Sequence, residues 1–190
     1  MNFKVPKNLD LNVIDERIKQ PLSDADLERY FGTGKESEVI KYNEIADYNS
    51  IDDLLPKPFD FRIILVETAH NIGHWVLILK YGNTIENFNS YGIDIDRQKN
   101  MLSRLVNFNM GQTKNLLTKL VGKSNYKYVI NKTPYQDEGQ YINTCGRWVA
   151  LRIITAKDMF MPLNEFDTMI KKANHELRLT PDQLVSMWID

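Results

Sequence analysis

The chain is poor in cysteine, with a single residue, Cys145, among 190. One thiol excludes an internal disulfide framework, so we expect a protein suited to a reducing compartment. Long apolar runs are also missing, because the longest, IILV and VLIL, are far too short to cross a bilayer. The first residues lack the basic start and apolar core of a signal peptide. We therefore expect a soluble protein that is not secreted, has no transmembrane segment and contacts no membrane.

Acidic residues are absent from positions 97–136, although the formal net charge of the chain is only −1. Eight basic residues lie in this stretch, which leaves −9 for the rest of the chain. The ordinary interpretation is a set of solvated helix faces that acids elsewhere balance. The alternative is a binding surface for a polyanion such as DNA, although no recognisable nucleic-acid-binding motif supports it. The candidate residues for that surface are Lys114, Lys119, Lys123 and Lys127.

A length of 190 residues with 43% hydrophobic residues predicts a single domain with one well-filled core, spanning 1–190. Residues 1–58 are expected to form a helical amino-terminal flank, because two short helical patterns precede a pair of prolines. Residues 59–160 form the predicted core. Residues 161–190 are expected to form two helices at the end of the domain, one capped near Asn164 and one with a capping box that begins at Thr180.

The predicted core combines strands and helices, which indicates an α+β fold. Residues 61–67 and 74–81 are short apolar segments that predict two strands of a sheet. Gly82 and Asn83 follow and predict a tight hairpin turn into another strand. Two basic amphipathic helices and a further strand are expected at 96–107, 113–121 and 125–131. From Cys145 the pattern is helical and apolar nearly all round, which predicts a central buried helix.

Cys145 lies at the predicted start of the central helix. Unpaired N–H groups and the helix dipole favour a negative charge there, which predicts a lowered thiol pKa and a nucleophile. The simpler interpretation is a small core residue, because free cysteine is among the most often buried residue types. A nucleophile also needs a base, and the three histidines are candidates. His175 is expected at the surface, whereas His70 and His74 flank a turn and His74 opens a buried strand.

The hairpin register provides a test for a partner of His74. If Gly82 and Asn83 form a two-residue loop, Asn89 lies diagonally across from His74 on the same face of the sheet. Diagonal neighbours of this kind lie roughly 7–8 Å apart at Cα, within reach of an imidazole and an amide. Glu86 falls on the opposite face. The register therefore selects Asn89 to orient the His74 ring, as in a Cys-His-Asn constellation.

Acyl transfer also needs hydrogen-bond donors for the oxyanion that develops at the carbonyl. The N–H of Cys145 is one such donor, and a glutamine side chain shortly before the nucleophile is often the second. Gln136 and Gln140 both precede Cys145 in a turn-rich loop, and either is equally an ordinary loop residue. Gly146 would allow a substrate backbone or a neighbouring element to approach closely.

The ordered motifs GHW, NFNSYG and Q…NTCGRW resemble those of the adenain-like cysteine proteases, the maturation proteases of adenoviruses and of other DNA viruses, including virophages. The resemblance covers residues 60–160 and extends to the SUMO and ubiquitin-like proteases, which share that fold. It implies an α+β cysteine-protease fold in which a small mixed or antiparallel sheet packs against a helix that begins at the nucleophile, with further helices around it.

The resemblance also implies a role for each matched residue. His74 matches the general base, Asn89 the residue that orients it, and Cys145 the nucleophile. Gln136 is preferred over Gln140 as the oxyanion donor, because the loop can absorb an insertion. The implied substrate-binding residues are Trp75 and Gly146, and no metal or cofactor is required.

The family is known for cutting capsid or core precursors after small residues such as glycine, late in virion assembly. The resemblance therefore implies viral structural precursors as substrates and a location in the virion and the host cytoplasm or nucleus. Activation by DNA is consistent with the acid-free stretch, but a disulfide-linked peptide cofactor is not expected, because Cys145 has no spare partner. The alternatives are a host-directed protease that removes ubiquitin-like modifiers and a non-catalytic assembly or nucleic-acid-binding protein.

Overall fold

The computed structural model describes residues 10–31 and 39–190. Its centre is a mixed five-stranded sheet whose strands lie side by side in sequence order. The strands are β1 (Val39–Lys41), β2 (Phe61–Ala69), β3 (Ile72–Tyr81), β4 (Thr84–Phe88) and β5 (Lys127–Ile130). The three central strands are antiparallel, whereas β1 and β5 run parallel to their neighbours. The predicted α+β class and mixed sheet are confirmed.

Helices cover both faces of this sheet. The α-helices are α1 (Leu11–Lys19), α2 (Asp24–Phe31), α3 (Ile51–Leu54), α4 (Ile95–Met101), α5 (Arg104–Asn109), α6 (Leu116–Val121), α7 (Cys145–Asp158), α8 (Leu163–Leu177) and α9 (Pro181–Trp188). A 3-10 helix spans Tyr42–Asp47. Within the described ranges, no helix is long and apolar enough to span a membrane.

The hairpin between β3 and β4 has the predicted register. Tyr81 pairs with Thr84, which leaves Gly82 and Asn83 as the two loop residues. Gly82 has a φ of +52°, a left-handed conformation that glycine adopts without steric cost. Because successive side chains of a strand alternate between faces, this register decides which β4 residues meet which helices.

The two faces of the sheet bury separate apolar clusters. Leu77 and Leu79 of β3 pack with α7, α8 and α9, whereas Val76 and Ile78 pack with the 3-10 helix, α3, α4 and α6. The central helix α7 is buried along most of its length, as its nearly uniform apolar pattern predicts. The helix that begins at Cys145 and the helix α6 therefore lie on opposite faces of the sheet.

A buried ion pair joins β4 to the central helix. Glu86 and Arg152 are both fully buried, and the guanidinium donates two hydrogen bonds to the carboxylate, at 2.6 and 2.8 Å. Glu86 lies on the face opposite to Asn87, as the predicted register requires. The two charges satisfy each other, and removing either one would leave the other buried without its partner.

Several predicted elements differ in detail. The amino-terminal flank contains the strand β1 in addition to helices, and its residues 1–9 and 32–38 lie outside the described residues. The helix expected at 96–107 divides into α4 and α5, because the Ser103 side chain caps a new helix by accepting the Val106 N–H. The helix expected near Asn164 begins at Leu163, directly after a proline.

Arg147, in the first turn of α7, connects segments that are far apart in the sequence. Its Nε donates to the carbonyl of Ile189 at 3.1 Å, and its Nη1 donates to the carbonyl of Gln20 at 2.6 Å. The side chain is almost completely buried. The start of the central helix is thus held by backbone groups that follow α1 and α9.

Candidate active site

His74 lies in the first part of β3 and is bonded to Asn89, just beyond the end of β4. The distance from His74 Nε2 to Asn89 Oδ1 is 3.0 Å. Two neighbours fix the orientation of the Asn89 amide: the Tyr91 N–H donates to Oδ1 at 3.0 Å, and Nδ2 donates to Gln98 Oε1 at 2.7 Å. Because Oδ1 can only accept, Nε2 of His74 carries the proton and Nδ1 keeps its lone pair.

The position before His74, Gly73, has no room for a side chain. A Cβ atom at this position would lie 2.1 Å from the backbone oxygen of Val66 on the neighbouring strand. The pairing of β2 and β3 is irregular between Glu67 and Ala69, where the two strands turn. Only a residue without a side chain allows β2 to approach β3 this closely beside His74.

Cys145 is the first residue of α7, and its side chain is buried. The backbone N–H groups of Trp75, Gly146 and Cys145 itself lie near the sulfur, where they act to lower the pKa of the thiol. Trp75 directly follows His74, so the sulfur lies against the backbone of the strand that carries the imidazole. The Tyr91 ring completes this arrangement: it stacks on His74 with centroids 4.3 Å apart, and its hydroxyl is near enough to Cys145 for a thiolate there to raise the pKa of Tyr91.

The pKa values of the two groups shift in opposite directions. Burial raises the pKa of the Cys145 thiol, and the three N–H groups counteract that effect only in part. Burial lowers the pKa of His74 to about 4, although the Asn89 hydrogen bond acts in the opposite direction. The predicted lowering of the thiol pKa by the helix start is therefore wrong for this state, because desolvation outweighs the N–H groups. Both groups are neutral at pH 7.

Ser90 links the imidazole to Gln136. Its hydroxyl lies 3.5 Å from His74 Nε2 and donates to Gln136 Oε1 at 2.8 Å. The Ser90 carbonyl accepts the N–H groups of Tyr135 and Gln136. Gln136 Nε2 donates to the Ile142 carbonyl at 3.0 Å and lies 3.4 Å from the Tyr91 hydroxyl. The amide end of Gln136 is thus held beside the ring that covers His74.

The structure separates the two candidate glutamines. Gln136 is buried and belongs to the hydrogen-bonded group around His74, whereas Gln140 is exposed in a turn. Gly92 allows the segment that carries Gln136 to lie close to Tyr91. Its φ is +71°, and a Cβ there would lie 2.9 Å from the nitrogen of Pro134. The segment before Gln136 therefore packs directly on the glycine that follows Tyr91.

Trp75 and Gly146 both pack against the segment between α1 and α2. The Trp75 indole N–H donates to the Leu22 carbonyl at 3.0 Å. A Cβ on Gly146 would lie 3.0 Å from Leu22 Cβ and 3.3 Å from Trp75 Cδ1, so this glycine admits a neighbouring element. Trp75 and Gly73 also line an open cleft of about 590 Å³, which extends to β1 and Leu22. This cleft reaches both chain neighbours of His74.

The remaining candidates lie away from these residues. His70 and His175 are exposed. Most basic residues of the acid-free stretch are exposed too, and within the described ranges none of these exposed residues forms a salt bridge: Arg97, Arg104, Lys114, Lys119, Lys123, Lys127 and Lys132. Lys99 is the exception, because its ammonium group is buried and donates to Lys114 O and Asn115 Oδ1. Among the described residues, no cluster of three His, Cys, Asp or Glu side chains could hold a metal ion.

Sequence reasoning missed several residues of this site. Ser90 and Tyr91 directly follow Asn89, so the NSYG motif contained a local signal for both. Gln98 lies one helix turn into α4, and no sequence pattern connects it with Asn89. Asp182, in α9, accepts a hydrogen bond from the hydroxyl of Thr144, whereas the sequence around it indicates only a capping box. Its distance along the chain hid this contact.

Comparison with known proteins identifies a virophage relative. The chain is 31% identical over 152 residues to the uncharacterized protein V9 of Sputnik virophage, an alignment that covers 80% of this chain and 85% of that protein. This similarity supports a virophage origin. No family model and no solved structure matches the chain. At this identity and coverage, the chain belongs to the family of Sputnik virophage protein V9.

Proposed function

We propose that the protein is a cysteine endopeptidase of the adenain-like type that cleaves virion precursor proteins. The observation that carries the proposal is the His74 ring, which Asn89 orients so that Nε2 holds the proton and Nδ1 is free to accept one. A base with this tautomer and a thiol at a helix start are the parts that a thiol protease needs.

The proposed reaction begins with a neutral pair. As the Cys145 sulfur attacks the scissile carbonyl carbon, Nδ1 of His74 takes the thiol proton and the carbonyl oxygen becomes an oxyanion. The oxyanion intermediate collapses, the C–N bond breaks, and the imidazolium gives its proton to the leaving amine. Water then hydrolyses the thioester, with His74 again acting as the base. Asn89 stabilises the imidazolium that forms in each step.

Gln136 is proposed to complete the oxyanion hole with the N–H of Cys145. Its Nε2 makes one good hydrogen bond, to Ile142, and one long contact of 3.4 Å to the Tyr91 hydroxyl. The hydrogen that points toward Tyr91 is the one that an oxyanion would take. Because Ser90 fixes Oε1, the amide cannot turn its oxygen toward the substrate without losing that bond.

The proposal is tested by incubating the protein with virophage capsid and core precursors, and separately with a ubiquitin-like modifier that carries a carboxy-terminal thiol trap. We expect the wild type to cleave a precursor, and Cys145→Ala and His74→Gln to be inactive. His70→Gln is the matched control, because His70 belongs to the same hairpin but is exposed. Products are followed by mass spectrometry.

Each outcome of this experiment distinguishes between the candidate functions. Reaction with the modifier trap and no precursor cleavage would favour a modifier-removing protease. A wild type that neither cleaves nor labels its thiol would contradict both protease functions. That result would leave an assembly or nucleic-acid-binding protein.

A further inference from the structure

The loop between Gln136 and Cys145 is held at both ends by one carboxylate. Asp182 Oδ2 accepts the N–H of Asp137, the residue after Gln136, at 3.0 Å. Asp182 Oδ1 accepts the hydroxyl of Thr144, the residue before Cys145. Asp182 and Thr144 are both buried. A single side chain of α9 therefore sets the separation between the proposed oxyanion donor and the proposed nucleophile.

Thr144 also differs from an ordinary residue at the start of a helix. Thr144 is the N-cap residue of α7, where a threonine hydroxyl ordinarily accepts an N–H of the first helical turn. Here its side chain makes no capping hydrogen bond, since Thr144 has helical backbone angles (φ −94°, ψ 0°) rather than the extended ones of an N-cap, and its hydroxyl donates to Asp182. The backbone N–H groups of Gly146 and Cys145 lower the pKa of the thiol against the effect of burial, which places them near the sulfur.

We propose that Asp182 is a positioning residue that, through Thr144 and Asp137, keeps Cys145 aligned with Gln136. The expected effect of Asp182 on turnover rests on the proposed function. Its expected effect on the reactivity of the Cys145 thiol does not. Burial raises the pKa of Asp182, but the hydrogen bonds from Asp137 and Thr144 favour its charged form, and its place in the first turn of α9 lets the helix dipole do so too. Burial keeps the bond between Asp182 and Thr144 away from water.

The decisive variant is Thr144→Val, which removes the hydroxyl and keeps the shape of the side chain. The rate of thiol alkylation by iodoacetamide is measured across pH, and kcat and KM are measured with a cleaved precursor peptide. We expect the alkylation midpoint to move to higher pH, because a shift of the first turn of α7 would move the N–H groups that lower the thiol pKa away from the sulfur. We also expect kcat to fall roughly 10-fold to 100-fold, as for a misplaced reacting group, with little change in KM.

Two further variants are the controls for Thr144→Val. Thr144→Ser keeps the hydroxyl and should restore both the alkylation midpoint and kcat. Thr168→Val removes an exposed threonine hydroxyl that bonds to Asn164 within α8, and it should change neither quantity. Asp182→Asn is a second test, because a carboxamide cannot accept from both Thr144 and Asp137 with the same geometry.

The two proposals fail in different ways. A shifted alkylation midpoint in Thr144→Val without any peptide cleavage by the wild type would sink the protease proposal and keep the positioning role. Cleavage by the wild type with unchanged midpoint and kcat in Thr144→Val would overturn the positioning role. A lower melting temperature alone, with both readouts unchanged, would also overturn it, since Thr144 would then serve only stability.

Discussion

The imidazole of His74 has an environment that disfavours its charged form. Its pKa falls from 6.5 to about 4 because the ring is buried. Between these values the unfolded chain binds a proton that the folded protein does not. Acid therefore favours unfolding, and this contribution to stability is complete above pH 6.5 and declines as the pH falls toward 4.

We predict that the free energy of unfolding decreases by about 3 kcal/mol between pH 7 and pH 4 on account of His74. Denaturant titrations at several pH values measure this free energy. In His74→Gln this part of the pH dependence should disappear, whereas His70→Gln should keep it. Equal pH dependence in wild type and His74→Gln would contradict the low pKa of His74.

At the scale of elements, the pairing of β2 with β3 depends on the absence of a side chain at Gly73. We predict that Gly73→Ala lowers the free energy of unfolding by on the order of 3 kcal/mol, since its Cβ would meet the Val66 backbone, which can yield only if the strands separate. Gly82→Ala is the matched control. Gly82 has a positive φ, which Gly73 does not have, but open space around it, so about 1 kcal/mol is expected from backbone strain alone.

Thermal and denaturant unfolding of both glycine variants measure this difference. If Gly73→Ala costs no more than Gly82→Ala, the close approach of the two strands beside His74 is incorrect. Because the same pairing places His74, the stronger loss should be accompanied by slower thiol alkylation only in Gly73→Ala.

Elements with a local signal were predictable from the sequence, and contacts between distant elements were not. The Gly82-Asn83 turn fixed the register, and the register identified Asn89 as the partner of His74. In contrast, β1 has three residues and gains its structure from pairing with β2, so no local pattern defines it. The Asp182 contact to Thr144 depends on how α9 packs on α7, which periodicity does not determine.

The thiol pKa was mispredicted for a similar reason. The helix start was visible in the sequence, and its N–H groups do act on the sulfur of Cys145. The desolvation that outweighs them comes from the packing of Leu22, Trp75 and other residues from separate parts of the chain. The sign of a pKa shift depends on both effects, and only one of them is local.

At the scale of the whole molecule, the exposed basic residues of the acid-free stretch include those around α6, on the face of the sheet opposite to α7. Their lack of salt bridges within the described ranges leaves their charge available to a polyanion. DNA bound there would lie across the sheet from the central helix. Any effect of DNA on the proposed active site would therefore be indirect. DNA could concentrate the protein on its substrates, or it could change the site through the sheet that lies between them.

We predict that the protein binds duplex DNA with a salt dependence set by about four phosphate contacts, a slope of log K against log salt near −3 to −4. The variant in which Lys114, Lys119, Lys123 and Lys127 become Gln should lose most of this slope. A control of equal charge replaces the exposed Lys19, Lys57, Lys171 and Lys172 with Gln. Fluorescence anisotropy between about 50 and 200 mM salt measures the slope for each protein, because phosphate contacts depend strongly on salt in this range.

Identical slopes in the two variants would show that binding is spread over the whole surface. A cleavage rate that DNA leaves unchanged at low salt would separate binding from activation. The first result would reduce the basic residues to solvated helix faces, the ordinary interpretation of the acid-free stretch, whereas the second would leave them as a binding surface without an activating role.

The hydrogen bonds of Arg147 have a consequence for when the site can exist. This side chain, two residues after Cys145, is held by the carbonyl groups of Gln20 and Ile189. A ribosome makes the first of these early and the second only after all the proposed catalytic residues have been synthesised. A nascent chain that already contains Cys145 and His74 therefore lacks one of the anchors of its central helix. The start of the central helix would gain this second anchor only after the polypeptide extends past Ile189.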